Sequence, residues 1–289
     1  MRDPSRVPHY PEAMVDTDRR PAGPDVRASV GSGASSRTSE RLDVLIALAR
    51  ADLRARYGRG RFRMAKWLLD PFALLGVYLL VVSFAVNRPG DAPGLSLACA
   101  IVPFQLLMTT VVSSTNAITT RESIILNMRF DRTLIPAATV VTETVAFLAS
   151  LSMIAIMMAA YGIAPTAAIA WYPIVFAVNV VLALALAYPV SLIGLWFREL
   201  RVFVISLARA MFFLAPGLVA LSQTSGDART LLRLNPLTGL FESYRAVFLY
   251  GTAPAATDLL YPLLWATLLL LLVVPLYRRE QRHFSKVVE

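Results

Sequence analysis

The chain is organised as long apolar runs separated by short polar stretches. Six runs stand out, at about 67–86, 95–118, 134–160, 172–196, 202–221 and 259–277. Each holds about 20 residues or more, the length that crosses a hydrocarbon layer roughly 30 Å thick at about 1.5 Å per residue. Only helices or closed barrels satisfy every backbone amide in lipid, and runs this long without alternation are helical. The pattern therefore predicts an all-α membrane protein with six transmembrane helices over 67–277.

Two further segments are apolar without being spans. Before the first run, Leu42, Leu45, Ile46, Leu48, Ala49 and Leu53 recur at helical spacing among Asp43, Arg50, Asp52 and Arg54, which predicts an amphipathic helix within 41–66. Either this is a solvated basic face ahead of a membrane anchor, or the helix lies in the interface with its arginines toward anionic headgroups or a partner. Between the last two runs, Leu231, Leu232, Leu234, Leu237, Leu240, Phe241, Tyr244, Val247 and Phe248 are too apolar for a free loop, yet Asn235 and Pro236 break the segment and Gly251 ends it. Two short helices are expected there, either lying on the surface or entering the membrane as a reentrant hairpin. Residues 1–40, rich in Pro, Gly, Ser, Arg and Asp, have the composition of a disordered tail.

Charge sets the orientation. Of the 289 residues 56% are hydrophobic and only 16% charged, against about 25% in soluble domains. The net charge of +9 would suit a nucleic-acid partner if it formed a patch, but the basic residues flank the apolar runs instead, and no nucleic acid is expected. One set of connections carries Arg54 to Lys66, Arg121, Arg129, Arg132, Arg198, Arg201, Arg278, Arg279, Arg282 and Lys286; the other is poor in basic residues until Arg229, Arg233 and Arg245. The positive side is retained in the cytoplasm, so both termini, including a tail at 278–289, are expected there.

Catalytic and metal chemistry find little support. Cys99 lies in an apolar run, and His9 and His283 are far apart in sequence, so no metal site is expected. No glycine-rich turn precedes Lys66 or Lys286 to cradle a nucleotide phosphate. A membrane-embedded transferase or phosphatase would need convergent carboxylates or histidines, which neither side offers. Ionisable groups inside spans invite functional suspicion: Glu143 and Arg209 lie at similar depths and are expected to pair across the third and fifth spans, as structure or as a cargo contact. The second span, with Gln105, Thr109, Thr110, Ser113, Ser114, Thr115 and Asn116, is read either as interhelical hydrogen bonding or as a partly wet pathway.

The order of these elements resembles the ABC-2 type permeases, and within them the Wzm-like polysaccharide exporters of O-antigen, teichoic acid or galactan. Trp67 to Pro71 is similar to the Trp and Pro pattern at the first span. Phe130, Arg132 and Pro136 resemble the Phe-Pro-Arg-x-x-x-Pro signature, with Asp131 where Pro is usual. Phe197 to Leu200 resembles the turn after the fourth span; Asn235, Pro236, Tyr244, Arg245 and Gly251 resemble the external hairpin; Phe284 to Val288 resembles the tail. The resemblance covers about residues 41–288. It implies a plasma-membrane permease, working as a homodimer with two copies of a separate Wzt-like ATPase and exporting a lipid-linked polysaccharide. This chain would need no cofactor, with ATP and Mg on the ATPase. A drug or lipid exporter shares the same plan.

Within that scheme the charged segment 119–133 is the expected coupling helix, through Arg121, Glu122, Asn127, Arg129, Phe130, Asp131 and Arg132. Alternatively its positive residues only set topology. Asn235, Pro236, Leu237, Tyr244 and Arg245 are the expected outer gate, and Glu143, Arg209, Gln105 and Asn116 the channel candidates.

Overall fold

The structure, a computed structural model, describes residues 35–57, 73, 76–77, 92–128, 130–217, 220–221 and 226–284. The expected first span, apart from Ala73, Gly76 and Val77, lies outside the described residues, as do most of the N-terminal tail, Arg129 and residues 285–289. The chain divides into two units, Met1–Thr38 and Ser39–Glu289; α1 from Ser39 onward and all later helices belong to the second.

Helices make up the fold, with no strand among the described residues: α1 Ser35–Tyr57, α2 Pro93–Ser114, α3 Glu122–Asn127, α4 Leu134–Ala160, α5 Tyr172–Trp196, α6 Leu200–Phe213, α7 Gly226–Arg233, α8 Pro236–Phe248 and α9 Ala256–Glu280. Four candidate membrane spans are present by length and composition: α2, α4, α5 with its preceding 3-10 turn, and α9. Proline opens α2, α5 and α8, where its missing N–H costs no helical bond.

Sequence and structure differ at the fifth run. The expected span at 202–221 is a 14-residue helix, α6, which ends at Phe213. At about 1.5 Å per residue it reaches roughly 21 Å, short of the hydrocarbon thickness. Its end has a local cause: Pro216 disfavours helical backbone at Ala215, and Gly217 follows in a tight turn, its N–H 2.7 Å from the Ala215 carbonyl.

α2, α5 and α9 run one way and α4 the other, so their ends meet in two layers. At one end Gly94 N–H donates to the Tyr161 hydroxyl at 3.1 Å, joining the start of α2 to the end of α4. At the other, the Tyr188 hydroxyl donates to the Thr133 carbonyl at 3.0 Å, joining α5 to the start of α4. This second end carries Arg121, Arg132, Arg201 and Arg278, and is called the basic end below. Gly194 lets α5 approach α2 there, since an added Cβ would lie 2.0 Å from the Thr115 carbonyl oxygen.

α2 is the centre of the bundle and α9 its edge: 67% of the apolar window of α2 is buried, against 22% for α9. Leu260, Leu264, Leu268, Leu271 and Leu272 of α9 form an exposed stripe at helical spacing. Facing water, such a patch would be a large liability; facing acyl chains it costs nothing. Hydroxyl groups are mostly satisfied inside their own helix. Thr109 donates to the Gln105 carbonyl at 2.9 Å, Thr115 to Val112 at 2.7 Å, Thr139 to Ile135 at 3.1 Å and Thr142 to Ala138 at 2.9 Å. For Thr109 and Thr115 the expected interhelical role is thus replaced by back-bonding to the preceding turn.

The Gly194 contact yields a first prediction. Gly194→Val forces α5 away from Thr115 and should destabilise the folded protein by about 1–3 kcal/mol or more, read as a lower thermal midpoint of the detergent-solubilised chain. An unchanged midpoint would mean that this approach of α2 and α5 is not a packing contact.

Candidate functional site

Two regions gather the functional candidates, one at each end of the bundle. At the basic end, the expected coupling helix over 119–133 is not continuous. A 3-10 turn at Thr119–Arg121 leads into the six-residue α3, and the backbone becomes extended at Met128, φ −125° and ψ 137°. Asp131 explains the break. Its carboxylate accepts from the Thr133 N–H at 3.2 Å and the Thr133 hydroxyl at 2.7 Å, a local turn that sets up the start of α4 instead of continuing α3.

The coupling candidates separate by exposure. Arg121, expected to face a partner, is buried. Its guanidinium pairs with Asp52 of α1 and donates to the Ala117 carbonyl at 2.8 Å and the Thr139 hydroxyl at 3.4 Å. Glu122 and Asn127 are exposed, the latter donating to the Ser123 carbonyl at 2.7 Å. Phe130 is half-buried against a small apolar cluster that includes Ile125, Tyr188 and Tyr277. Arg132 donates to the Gln281 carbonyl at 2.6 Å, and Asp131 pairs with Arg41 at 3.3 Å. Between these groups lies a cleft of about 1050 Å³ lined by Arg41, Phe130, Asp131, Arg132, Arg278 and Arg282 among others. Four guanidinium groups there accompany one carboxylate, and the exposed Leu126 and Met128 also line the cleft.

The channel candidates are not brought together. Glu143 is buried and accepts from the Ser113 hydroxyl at 2.6 Å, between α2 and α4, whereas Arg209 is exposed on α6. Similar depth along the membrane normal does not imply facing sides, and the expected Glu143–Arg209 pair is not made. Asn116 lies past the end of α2, where its side-chain carbonyl accepts from Arg201 at 2.7 Å; Arg201 also binds the Gly194 carbonyl at 2.6 Å. Asn116 is therefore part of a knot joining α2, α5 and α6. Gln105 is half-buried within α2, its Oε1 without a partner among the described residues.

At the opposite end the expected hairpin forms as two short helices, α7 and α8, divided at Asn235 and Pro236. Asn235 Oδ1 accepts from the Leu237 N–H at 3.0 Å, capping α8, and its Nδ2 donates to the Met211 carbonyl of α6 at 3.1 Å. α8 is not surface-lying: Leu240, Phe241, Tyr244 and Arg245 are fully buried against α2, α5 and α9. Gly239 permits this, because an added Cβ would sit 2.4 Å from the Asp258 carbonyl oxygen. Tyr244 accepts from Asn179 Nδ2 at 3.3 Å.

Arg245 is the buried charge of this end. It pairs with Glu242 at 2.9 Å and donates to the Ser96 hydroxyl at 3.1 Å and carbonyl at 3.3 Å and to the Gly217 carbonyl at 3.4 Å. Glu242 in turn accepts from the Leu221 N–H at 3.0 Å. One guanidinium thereby fastens α8 to the first turn of α2 and to the link after α6. Sequence reading found Arg245 but missed Ser96, Glu242, Arg41, Asp52 and Gln281. Helical periodicity was the available signal for α1: Arg41, Leu45, Leu48 and Asp52 fall on one face.

The chain matches no family profile. It is 29% identical over 248 residues to the O-antigen export system permease protein RfbA of Myxococcus xanthus, covering 85% of this chain and 95% of that protein. Two proteins of the same description from Klebsiella pneumoniae are 23% identical over 211 residues and 24% over 210, covering 73% and 72% of this chain and 82% and 81% of theirs. The resemblance to Wzm-like ABC-2 permeases read from the motifs is borne out by these relatives.

Removing one partner of a buried pair strands the other. Arg245→Leu should cost about 3–5 kcal/mol of stability, and Arg245→Leu with Glu242→Leu should recover part of that loss. Thermal unfolding of the purified variants reads both; a double variant less stable than the sum of the singles would refute the paired description.

Proposed function

We propose that this chain is the permease subunit of an ABC exporter that moves a lipid-linked polysaccharide, of the O-antigen kind, across the bacterial inner membrane. The likeness to an O-antigen export permease along 85% of the chain carries this reading. Four apolar helices long enough to span a membrane, and the lipid-suited leucine stripe of α9, support it. None of the three relatives favours a drug exporter or a membrane-embedded transferase.

The finer assignments rest on the same reading. Residues 67–86 and the whole run 202–221, of which α6 is only the helical part, complete six spans, both termini and the basic end are cytoplasmic, and α1 from residue 41 lies at the inner interface. Two copies form the conduit with two copies of a separate ATPase, which binds ATP and Mg; this chain itself takes no cofactor. The cleft around Phe130, Asp131 and Arg132, lined also by Asn127, receives that ATPase, for which its excess of arginine suits an acidic surface, and Glu122 and Arg129 are read as further contacts. The hairpin with Asn235, Pro236, Leu237, Tyr244 and Arg245 serves as an outer gate, and the burial of its second helix, α8, suits a reentrant element enclosed by protein. Glu143 and Gln105 remain the polar candidates along the path.

Depletion of the protein should leave a lipid-linked polymer in the cytoplasmic leaflet, identified by mass analysis of the extracted lipids; accumulation of a drug or simple lipid instead would overturn the cargo. In a Cys99→Ala background, a single cysteine at Asp227 should label from outside while one at Glu40 should not, and external labelling of the latter would reverse the topology. Phe130→Ala removes an aromatic anchor from the cleft and should weaken co-purification with the ATPase by about thirtyfold or uncouple hydrolysis from export. Wild-type yield and export for that variant would remove the cleft from coupling.

A further inference from the structure

Two side chains of α1 reach the two ends of the segment 119–133. Arg41 and Asp52 are separated by about three helical turns and so share a face. Leu48 and Ala49 lie buried on that side, while Leu42 and Ile46 point away. Arg41 meets Asp131 and Asp52 meets Arg121, so the pairs have opposite polarity and hold α1 in one register along the segment.

The two pairs differ in depth. The Arg41 and Asp131 side chains are 61% and 25% exposed, and water screens such a pair. Arg121 is 6% exposed and Asp52 27%. Arg121 also holds the Ala117 carbonyl past the end of α2 and the Thr139 hydroxyl of α4. One buried guanidinium therefore touches α1 and the two spans beside it, whereas the backbone of the segment is interrupted at Met128. A cavity of about 320 Å³ adjoins it and reaches from Asp52 and Arg121 to Ser113 and Glu143.

We propose that the Asp52–Arg121 pair is the positioning clamp through which movement of α1 and the docking segment is passed to α2 and α4, so that ATP hydrolysis drives export. The inference rests on the ATPase-docking function given above. The segment alone is a poor transmitter because its helix stops at Asn127. Arg121 supplies the stiff connection: it is enclosed, it makes bonds to three elements, and displacing Asp52 would leave its buried charge short of a partner. Arg121 is a positioning residue, with no contact to nucleotide or cargo required of it.

The test uses the full permease–ATPase complex, reading export per ATP hydrolysed at matched membrane levels. Asp52→Asn should retain membrane insertion, ATPase co-purification and hydrolysis within about twofold, and lose export per ATP at least tenfold. Arg121→Gln should do the same. The double variant should be no worse than Arg121→Gln alone, since members of one unit are not additive. Arg50→Gln, on the exposed side of α1, should keep the wild-type ratio. If Asp52→Asn fails to insert, Asp52→Glu and Asp52→Gln are compared, and the clamp requires the ratio to survive only where the carboxylate is kept. A wild-type ratio in Asp52→Asn, or multiplied losses in the double variant, overturns the clamp. Absence of ATPase binding or export in the wild-type protein would instead refute the proposed function itself.

Discussion

Hydrocarbon offers no hydrogen bonds, and a chain that enters it must supply every donor and acceptor from within. That constraint explains where the polar groups of this protein lie. Thr109 of α2, Thr115 just past it, and Thr139 and Thr142 of α4 turn back onto the carbonyls of the preceding turn. Arg245, fully buried in the 13-residue α8, is tolerated because a carboxylate, a hydroxyl and two carbonyls surround it. A helix of that length reaches about 20 Å and cannot cross. Its ends must therefore be closed by protein, and Asn235 does this at the start of α8.

The same constraint sorts the cations at the basic end. Arg201 gathers the Gly194 carbonyl and Asn116, and Arg121 the Ala117 carbonyl and Thr139, each filling acceptors left open where a span stops. Arg278 and Arg282 instead line the open cleft. Basic residues near the span ends are thus found in two settings, bonded to helix-end carbonyls or lining the open cleft, and Arg132 occupies both. Arg121 is in the first setting, buried and bonded to the Ala117 carbonyl, although its position in the segment had suggested the second.

Much of this was legible in the residues. The spans at 134–160 and 172–196 coincide with α4 and α5, because an uninterrupted apolar run leaves the backbone no alternative to a helix in lipid. The break at Asn235 and Pro236 was equally clear, since a capping side chain followed by a fixed φ starts a helix anew. α6 stops short of the apolar run at 202–221 because Pro216 and Gly217 end a helix without lowering the mean hydropathy much. The Glu143–Arg209 pairing failed for a different reason. Residue number gives depth along a span, but the direction a side chain faces depends on how the helix is turned against neighbours, and no single-helix pattern contains that. Sequence spacing also placed Asp52 and Arg41 on one face of α1 without saying that this face is the one that meets protein.

Arg245 and Arg121 bracket the same helix. Near the first turn of α2 the guanidinium of Arg245 grips Ser96; just beyond its last turn Arg121 holds the Ala117 carbonyl. α2 spans 22 residues, a rod of about 33 Å. The rod is buried along most of its length, where dense packing resists bending. Both ends of the molecule are therefore fixed to a single shaft. The α1 movement proposed at the clamp therefore acts on the same helix that Arg245 holds at the far side, with Pro103 the one interior position of that helix where a backbone bond is missing.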